Sequence, residues 1–210
     1  ACIAFRGTDS TITGWKENFN MLFTSPVAAQ SLSVPYVDAV VKKIKGNIIL
    51  TGHSKGGNLA IYSGSMCSPI VKNKIVEIQA FDSPGFTKEF IESKEHTETE
   101  KIVRKFMPEE SLVGVLLNNR EQYRIIKSEG SGIMQHDPFL WQIDIESNDF
   151  IDGEKLYMSS KFFDATFNDW VNSSTPEQRE QFVEALFQMI NSANTENVTS
   201  FQSMFNGCAS

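Results

Sequence analysis

This chain has few of the residues that mark the more specialised classes of protein. Its 210 residues include only three cysteines, at positions 2, 67 and 208. They are far apart, none belongs to a Cys-x-x-Cys pair, and none has a histidine nearby, so neither a zinc site nor a disulfide framework is indicated. We expect them to be free thiols in a reducing compartment.

The chain also lacks an excess of positive charge and any long apolar run. It has 19 Lys and Arg against 26 Asp and Glu, a formal net charge of −7. Nucleic-acid binding is therefore not expected, because such proteins present clustered positive charge to phosphates. No segment approaches the roughly 20 apolar residues that span a bilayer. With 40% hydrophobic and 21% charged residues, the composition is that of a globular protein rather than a disordered or fibrous one.

The first residues, Ala1-Cys2-Ile3-Ala4-Phe5, contain neither an initiator Met nor the basic, apolar leader of a secreted protein. We therefore expect a cytoplasmic protein. The segment is typical of a β-strand already under way, and we expect one or two opening strands of the fold to be missing before it.

Short apolar runs that alternate with helical patterns predict an α/β fold with a mostly parallel central sheet flanked by helices. Residues 1–150 are predicted to form this core. Residues 151–210 are predicted to form a helical extension that packs on it. The predicted strands are 3–5, 47–51, 74–81, 102–106 and 123–126, and the predicted core helices are 31–45 and 59–66.

The helical extension has a clear internal helix start. Thr175, Pro176 and Gln178 match an N-cap, a first-turn proline and a capping-box residue. Helical spacing of apolar residues predicts helices around 163–171 and 182–190, and a shorter one around 198–205. These helices are expected to supply core packing, an acyl pocket or a lid.

One motif carries nucleophilic chemistry. Gly52-His53-Ser54-Lys55-Gly56 matches Gly-x-Ser-x-Gly, directly after a predicted strand and directly before a helix. This setting is typical of a nucleophile elbow, in which side chains two residues either side of the Ser would collide with the neighbouring strand and helix. The Lys55 backbone N–H then lies at a helix N-terminus, where it can stabilise an oxyanion.

A serine hydroxyl needs a base, and three histidines are available. His53 is expected to point away from Ser54. His96 lies in a charged run and is expected to be a solvated surface residue. His136 lies in a turn-rich loop after several strands, where hydrolases of this kind place the base. His136 is therefore the predicted base.

The orienting acid is less sharply defined by the residues alone. Asp82 ends the strand that follows the elbow, before Ser83-Pro84-Gly85. Glu109 and Glu110 follow the next strand. We favour Asp82, with Glu110 as the alternative. In the first loop, Thr8 follows a strand expected to lie beside the nucleophile strand, so it is predicted to bind the oxyanion together with Lys55.

Taken together, these motifs resemble the lipase class 3 branch of the α/β-hydrolases, and more closely a bacterial lipase-like family catalogued only as a domain of unknown function. The resemblance covers nearly the whole chain. It rests on the segments Ala4-Phe5-Arg6-Gly7-Thr8, Gly14-Trp15-Lys16-Glu17-Asn18-Phe19-Asn20, Thr51-Gly52-His53-Ser54-Lys55-Gly56-Gly57, Phe81-Asp82-Ser83-Pro84-Gly85-Phe86, Ser111-Leu112-Val113-Gly114 and Gln135-His136-Asp137-Pro138-Phe139.

The resemblance implies an α/β-hydrolase fold, Ser54 as nucleophile, His136 as base, and oxyanion donors at Thr8 and the Lys55 backbone. Class 3 lipases place their acid where this chain has Ser111-Leu112-Val113-Gly114, a second reason to prefer Asp82. The basic Lys55 side chain suggests an anionic acyl substrate, such as a phospholipid or lysophospholipid.

The sequence thus predicts a serine hydrolase that cleaves carboxylic esters of small molecules or lipids through an acyl-enzyme, with no metal or cofactor. An acyltransferase that uses the same site is the enzymatic alternative. A catalytically inactive hydrolase-fold binding module is the non-enzymatic one.

Overall fold

A sheet of five parallel strands forms the centre of the computed structural model, which describes residues 1–9 and 11–192. The strands follow one another across the sheet in chain order. They are β1 (Cys2–Phe5), β2 (Ile48–His53), β3 (Ile75–Phe81), β4 (Val103–Pro108) and β5 (Tyr123–Ile126). A separate antiparallel hairpin consists of β6 (Ile143–Asp144) and β7 (Asp149–Phe150).

Eight α-helices surround the sheet in the described residues. They are α1 (Ile12–Asn20), α2 (Ala28–Val41), α3 (Lys55–Met66), α4 (Pro69–Lys72), α5 (Lys88–Ile91), α6 (Lys94–Thr99), α7 (Met158–Ser173) and α8 (Pro176–Ser192). The predicted α/β class, with a mostly parallel sheet and flanking helices, is therefore observed. The predicted helix around 198–205 lies outside the described residues.

The main core lies between the sheet and helices α2 and α3. Its buried members are mostly branched aliphatic side chains and include Val37, Leu50, Ile61 and Ile78. Helix α3 is buried along nearly its whole length, since it packs on β2 and β3 and against α2. This packing holds the beginning of α3 rigidly at the end of β2.

A second apolar cluster joins the C-terminal helices to α1. Phe19 of α1 and Phe187 of α8 meet edge to face, with ring centroids 5.6 Å apart, and Val171 and Val183 are buried in the same cluster. The predicted capping box of α8 is present, because Thr175 and Gln178 each bond the other's backbone N–H. None of the helices within residues 11–192 combines the length and the apolar content that crossing a membrane requires.

Burial corrects one expectation. His96, predicted to lie on the surface, is completely buried on α6. Its ring packs against Phe90, with centroids 5.3 Å apart, and its Nε2 lies 3.3 Å from Oε1 of the buried Glu121. The charged residues around it in the sequence follow the exposed face of a short helix, whereas His96 lies on the inner face.

Candidate active site

The predicted nucleophile and the predicted acid follow neighbouring strands at the same edge of the sheet. Ser54 comes directly after β2 and Asp82 directly after β3. The Ser54 N–H donates to the Phe81 carbonyl at 2.8 Å, and the Asp82 N–H donates to the Phe106 carbonyl at 2.8 Å. Because parallel strands present all their carboxyl ends at one edge, the loops after β1, β4 and β5 also converge there.

The backbone of Ser54 is strained. Its φ is 57° and its ψ is −130°. Residues other than glycine rarely adopt this backbone conformation, because it costs free energy and persists only where the surrounding structure enforces it. Two glycines make the turn feasible. A Cβ on Gly56 would overlap the Phe5 carbonyl oxygen, and a Cβ on Gly52 would overlap the backbone of Gly56. The sharp turn thus has the close strand–helix approach that the motif predicts.

The structure brings Asp82 and His136 together. His136 Nδ1 lies 2.6 Å from Asp82 Oδ2, and the Asp82 side chain is completely buried while that of His136 is 19% exposed. The alternative acid Glu110 does not contact the ring: its Oε2 accepts the Gly132 N–H at 2.5 Å. Glu109 bonds the Glu154 N–H at 3.1 Å. Of the carboxylates considered from the sequence, Asp82 is the one paired with the predicted base.

The second carboxylate oxygen of Asp82 is held by the loop after β4. Ser111 Oγ donates to Asp82 Oδ1 at 2.5 Å, and the Gly114 N–H donates to the same oxygen at 3.1 Å. Ser111 and Gly114 belong to the segment where the resemblance places the acid of class 3 lipases. In this chain that segment supplies donors to a carboxylate on the neighbouring strand.

The loop that carries His136 is anchored on both sides. It forms a short 3-10 helix, Gly132–His136. Gln135 accepts the Glu110 N–H at 2.8 Å through its side chain, and its carbonyl accepts the Trp141 indole N–H at 2.8 Å. Glu110 therefore holds the loop of the base, a role that its position in the sequence did not indicate.

His53 was expected to point away from Ser54, but the structure places its ring against His136, the predicted base. Its Nε2 lies 2.8 Å from the His136 carbonyl oxygen, and the two rings are 4.5 Å apart between centroids. Since a carbonyl oxygen only accepts, Nε2 carries the proton. Burial, and then the neighbouring His136, lower the pKa of His53, which favours its neutral form. The sequence signal for this contact was the position of His53 directly before Ser54.

The two predicted oxyanion donors flank the elbow. Lys55 is the first residue of α3, so its N–H has no acceptor within the helix. The loop of Thr8 lies against the same turn, because a Cβ on Gly7 would be 3.5 Å from the Ser54 Cβ. The Thr8 hydroxyl donates to Asn18 Oδ1 at 2.8 Å. This bond commits the hydroxyl to α1 and leaves the Thr8 backbone N–H as the donor for an oxyanion.

The Lys55 side chain does not act as the sequence suggested. It is buried, and its ammonium pairs with the Glu17 carboxylate of α1. Glu17 also accepts the Ala29 N–H at 3.1 Å. Because the positive charge is neutralised by a close partner, it provides little net attraction for an anionic substrate. The pair instead ties the elbow to α1.

An apolar cavity of about 70 Å³ opens beside Ser54. Its walls come from α1, from the loops after β3 and β4, and from α7. The lining residues are Trp15, Asn18, Phe19, Met21, Leu22, Ser54, Pro84, Val113, Leu116, Leu117 and Phe167. Asn18 and Ser54 are the polar members, so the space beside the nucleophile suits an uncharged, apolar group.

Within residues 1–9 and 11–192, two features are absent from the site. No hydrogen bond joins the Ser54 hydroxyl to the His136 ring, whose Nδ1 is bonded to Asp82. No group of three His, Cys, Asp or Glu side chains is arranged to hold a metal ion.

Comparison with known proteins gives a family and remote structural neighbours. The family model described as Mbeg1-like matches residues 1–188. No curated protein matches the chain. A solved structure from Silicibacter sp. TM1040, described only provisionally as a thioesterase, is 16% identical, with 69% of this chain and 56% of that chain covered and a TM-score of 0.29. The chain thus spans little more than half of that structure's length, and a TM-score this low does not establish a common fold.

Proposed function

This chain belongs to the Mbeg1-like family, and from the geometry of its site we propose that it is a serine hydrolase of the α/β-hydrolase type. It cleaves carboxylic esters, in the manner of an esterase or lipase, through an acyl-enzyme on Ser54. The observation that carries the proposal is the buried Asp82 bonded to His136 at 2.6 Å, at the sheet edge where Ser54 takes its strained turn.

The first half-reaction forms the acyl-enzyme. His136 Nε2 takes the proton from the Ser54 hydroxyl while Oγ attacks the ester carbonyl carbon. Electrons move to the carbonyl oxygen, which the Thr8 and Lys55 N–H groups stabilise. When the tetrahedral intermediate collapses, the bond to the leaving oxygen breaks and His136 gives its proton to that oxygen, releasing the alcohol. Asp82 binds Nδ1–H throughout, which leaves Nε2 free to accept.

The second half-reaction uses water. His136 takes a proton from a water molecule whose oxygen attacks the acyl carbon. The intermediate then expels Ser54 Oγ, which recovers its proton from His136, and the carboxylic acid leaves. No step requires a further cofactor.

The cavity supports an uncharged acyl group as the part bound beside Ser54. Phe19 and Phe167 line it from α1 and α7, so the C-terminal helices contribute to this acyl subsite. The Lys55 ammonium does not line the cavity and is paired with Glu17. We therefore propose a neutral acyl chain beside Ser54, and the paired Lys55 side chain no longer supports the anionic acyl substrate that the sequence suggested.

Fluorophosphonate labelling with intact-mass analysis tests the proposal. We expect a single adduct on the wild-type protein, no adduct on Ser54→Ala, and labelling slowed by at least about a thousandfold in His136→Ala. Ser63→Ala is the matched control, because Ser63 is a buried serine of α3, the helix that follows Ser54, and its hydroxyl donates to the Ala60 carbonyl. This control must label at the wild-type rate.

A second candidate is the inactive binding module, which the missing hydrogen bond between Ser54 and His136 favours. A folded wild-type protein that takes up no label would support that candidate and contradict the hydrolase. If label is taken up, esters incubated with acceptor alcohols distinguish the remaining alternative. Transfer to the alcohol in preference to water would indicate an acyltransferase.

A further inference from the structure

A lysine is buried in the interior behind the acid–base pair. Lys105 of β4 is only 2% exposed. Its ammonium donates to the Gly114 carbonyl at 3.0 Å and to the Asn119 side-chain oxygen. A buried lysine is costly, because its charge loses hydration. Burial lowers the pKa of Lys105 to about 8, so the side chain is still mostly protonated at pH 7.

Gly114 connects this lysine to the acid. Its carbonyl accepts from Lys105, while its N–H donates to Asp82 Oδ1 at 3.1 Å and to Ser111 Oγ at 2.9 Å. Ser111 in turn donates to the same carboxylate oxygen. The two donors that hold Asp82 therefore belong to a loop that Lys105 fastens to the sheet.

The charge of Lys105 also acts on the acid directly. The carboxylates whose charges act on Lys105 are Glu121, Asp82 and Asp164, in that order of strength. On the other side of Asp82, the His136 ring faces His53. The neighbouring Asp137 directs its carboxylate to the Phe139 N–H at 3.0 Å.

We propose that Lys105 is a positioning residue for Asp82, and that it places a fixed positive charge behind the Asp82–His136 pair. The charge attracts the carboxylate and opposes a second positive charge on His136. Removing the charge of Lys105 should therefore make a positively charged His136 easier to form. The catalytic part of this inference rests on the proposed hydrolase function, whereas the electrostatic part does not.

The decisive variant is Lys105→Met, which keeps the length of the side chain and removes its charge. We expect the midpoint of the His136 titration, followed by NMR of the imidazole, to lie at higher pH than in the wild-type protein. Met107→Ala is the matched control, since Met107 is buried on the same strand and packs near Gly114 without any charge. It should loosen the region and leave the midpoint unchanged.

Lys105→Gln serves if Lys105→Met does not fold. It also removes the charge but keeps a side-chain N–H donor for the Gly114 carbonyl, so the His136 midpoint should rise here as well. A midpoint that stays at the wild-type value in whichever of the two charge variants fold would overturn the proposal. An equal rise in Met107→Ala would do the same, because the effect would then be one of packing.

Labelling separates this inference from the proposed function. The pH at which fluorophosphonate labelling reaches half its maximal rate should move with the NMR midpoint in Lys105→Met. If the wild-type protein does not label, the hydrolase proposal fails while the NMR titration still decides the role of Lys105. If the protein labels and neither midpoint moves, the role of Lys105 fails while the hydrolase stands.

Discussion

Two pairs of a histidine and a carboxylate lie in close contact within residues 1–9 and 11–192, and they differ in exposure and in hydrogen bonding. His136 and Asp82 meet at 2.6 Å, and Asp82 receives two more donors, from Ser111 and Gly114. The His136 side chain is partly exposed. One nitrogen of this ring is held by Asp82, as the proposed role of a base requires.

His96 and Glu121 form the other pair. Their nearest atoms are 3.3 Å apart, and both side chains are buried almost completely. Neither ring nitrogen of His96 makes a hydrogen bond within the described residues. The ring instead packs against the rings of Phe86 and Phe90, which also contact each other. Burial lowers the pKa of His96 against the opposing pull of Glu121 and Glu100, so this histidine acts as a packed, neutral ring.

The comparison distinguishes the proposed catalytic pair from a second pair of similar composition by its surroundings. The pair at Asp82 lies at the carboxyl edge of the sheet beside Ser54, where loops after several strands converge. The pair at His96 lies on a short helix that packs against the interior. Access, the donors around the carboxylate and a nucleophile within the same edge distinguish the two.

The largest expected effect distinguishes the two pairs directly. Asp82→Asn should slow fluorophosphonate labelling by about 10³–10⁴-fold, because an amide no longer holds Nδ1 protonated. His96→Gln should label within about twofold of the wild-type rate once corrected for the folded fraction. Labelling rates and circular dichroism of both variants make the measurement. Equal losses in the two variants would contradict the assignment of the catalytic pair.

A smaller effect is expected from the support of the acid. Ser111→Ala removes one of the two donors to Asp82 Oδ1 while the Gly114 N–H remains. We expect labelling to slow by roughly tenfold, since one hydrogen bond to a charged group contributes about 1.5–3 kcal/mol. Ser128→Ala, whose serine bonds backbone carbonyls away from the acid, is the control. A Ser111→Ala protein as fast as this control would show that the bond is dispensable.

The smallest expected effect is on stability and concerns the other pair. The pKa of His96 is lowered in the folded protein, so the unfolded chain binds the extra proton first as the pH falls. The stabilisation from a neutral His96 is therefore complete above the unfolded pKa of about 6.5 and is lost below it. Between pH 7.5 and pH 5.5, the free energy of unfolding measured in urea should fall less in His96→Gln than in the wild-type protein. An equal loss would mean that His96 does not contribute.

His53 also has a lowered pKa, and its contribution to the pH dependence is shared by wild type and His96→Gln. It therefore cancels in the difference between the two proteins. The informative quantity is the difference between the two proteins in how much unfolding free energy each loses between pH 7.5 and pH 5.5.

Local patterns predicted much of the fold. The strands β2, β3 and β5 and the helix α8 were expected close to their observed bounds, because apolar runs, glycines and caps act over only a few residues. The elbow at Ser54 was predictable for the same reason. Its strained φ and the crowding at Gly52 and Gly56 arise within one turn of chain.

The structure added what depends on distant parts of the chain. Asp82 lies 54 positions before His136 in the sequence, and no local pattern describes whether it or Glu110 meets that ring. The burial of His96, the contact between His53 and His136, and the pairing of Lys55 with Glu17 have the same origin. Each depends on which face of an element packs inward.

The sequence alone determined the turn that carries Ser54, the candidate nucleophile, and the class of the sheet, because backbone sterics and hydrophobic periodicity are properties of neighbouring residues. Only the tertiary structure decided which carboxylate faces His136, and which charges are neutralised. Those outcomes follow from the register of parallel strands and from the cost of burying a charge without a partner.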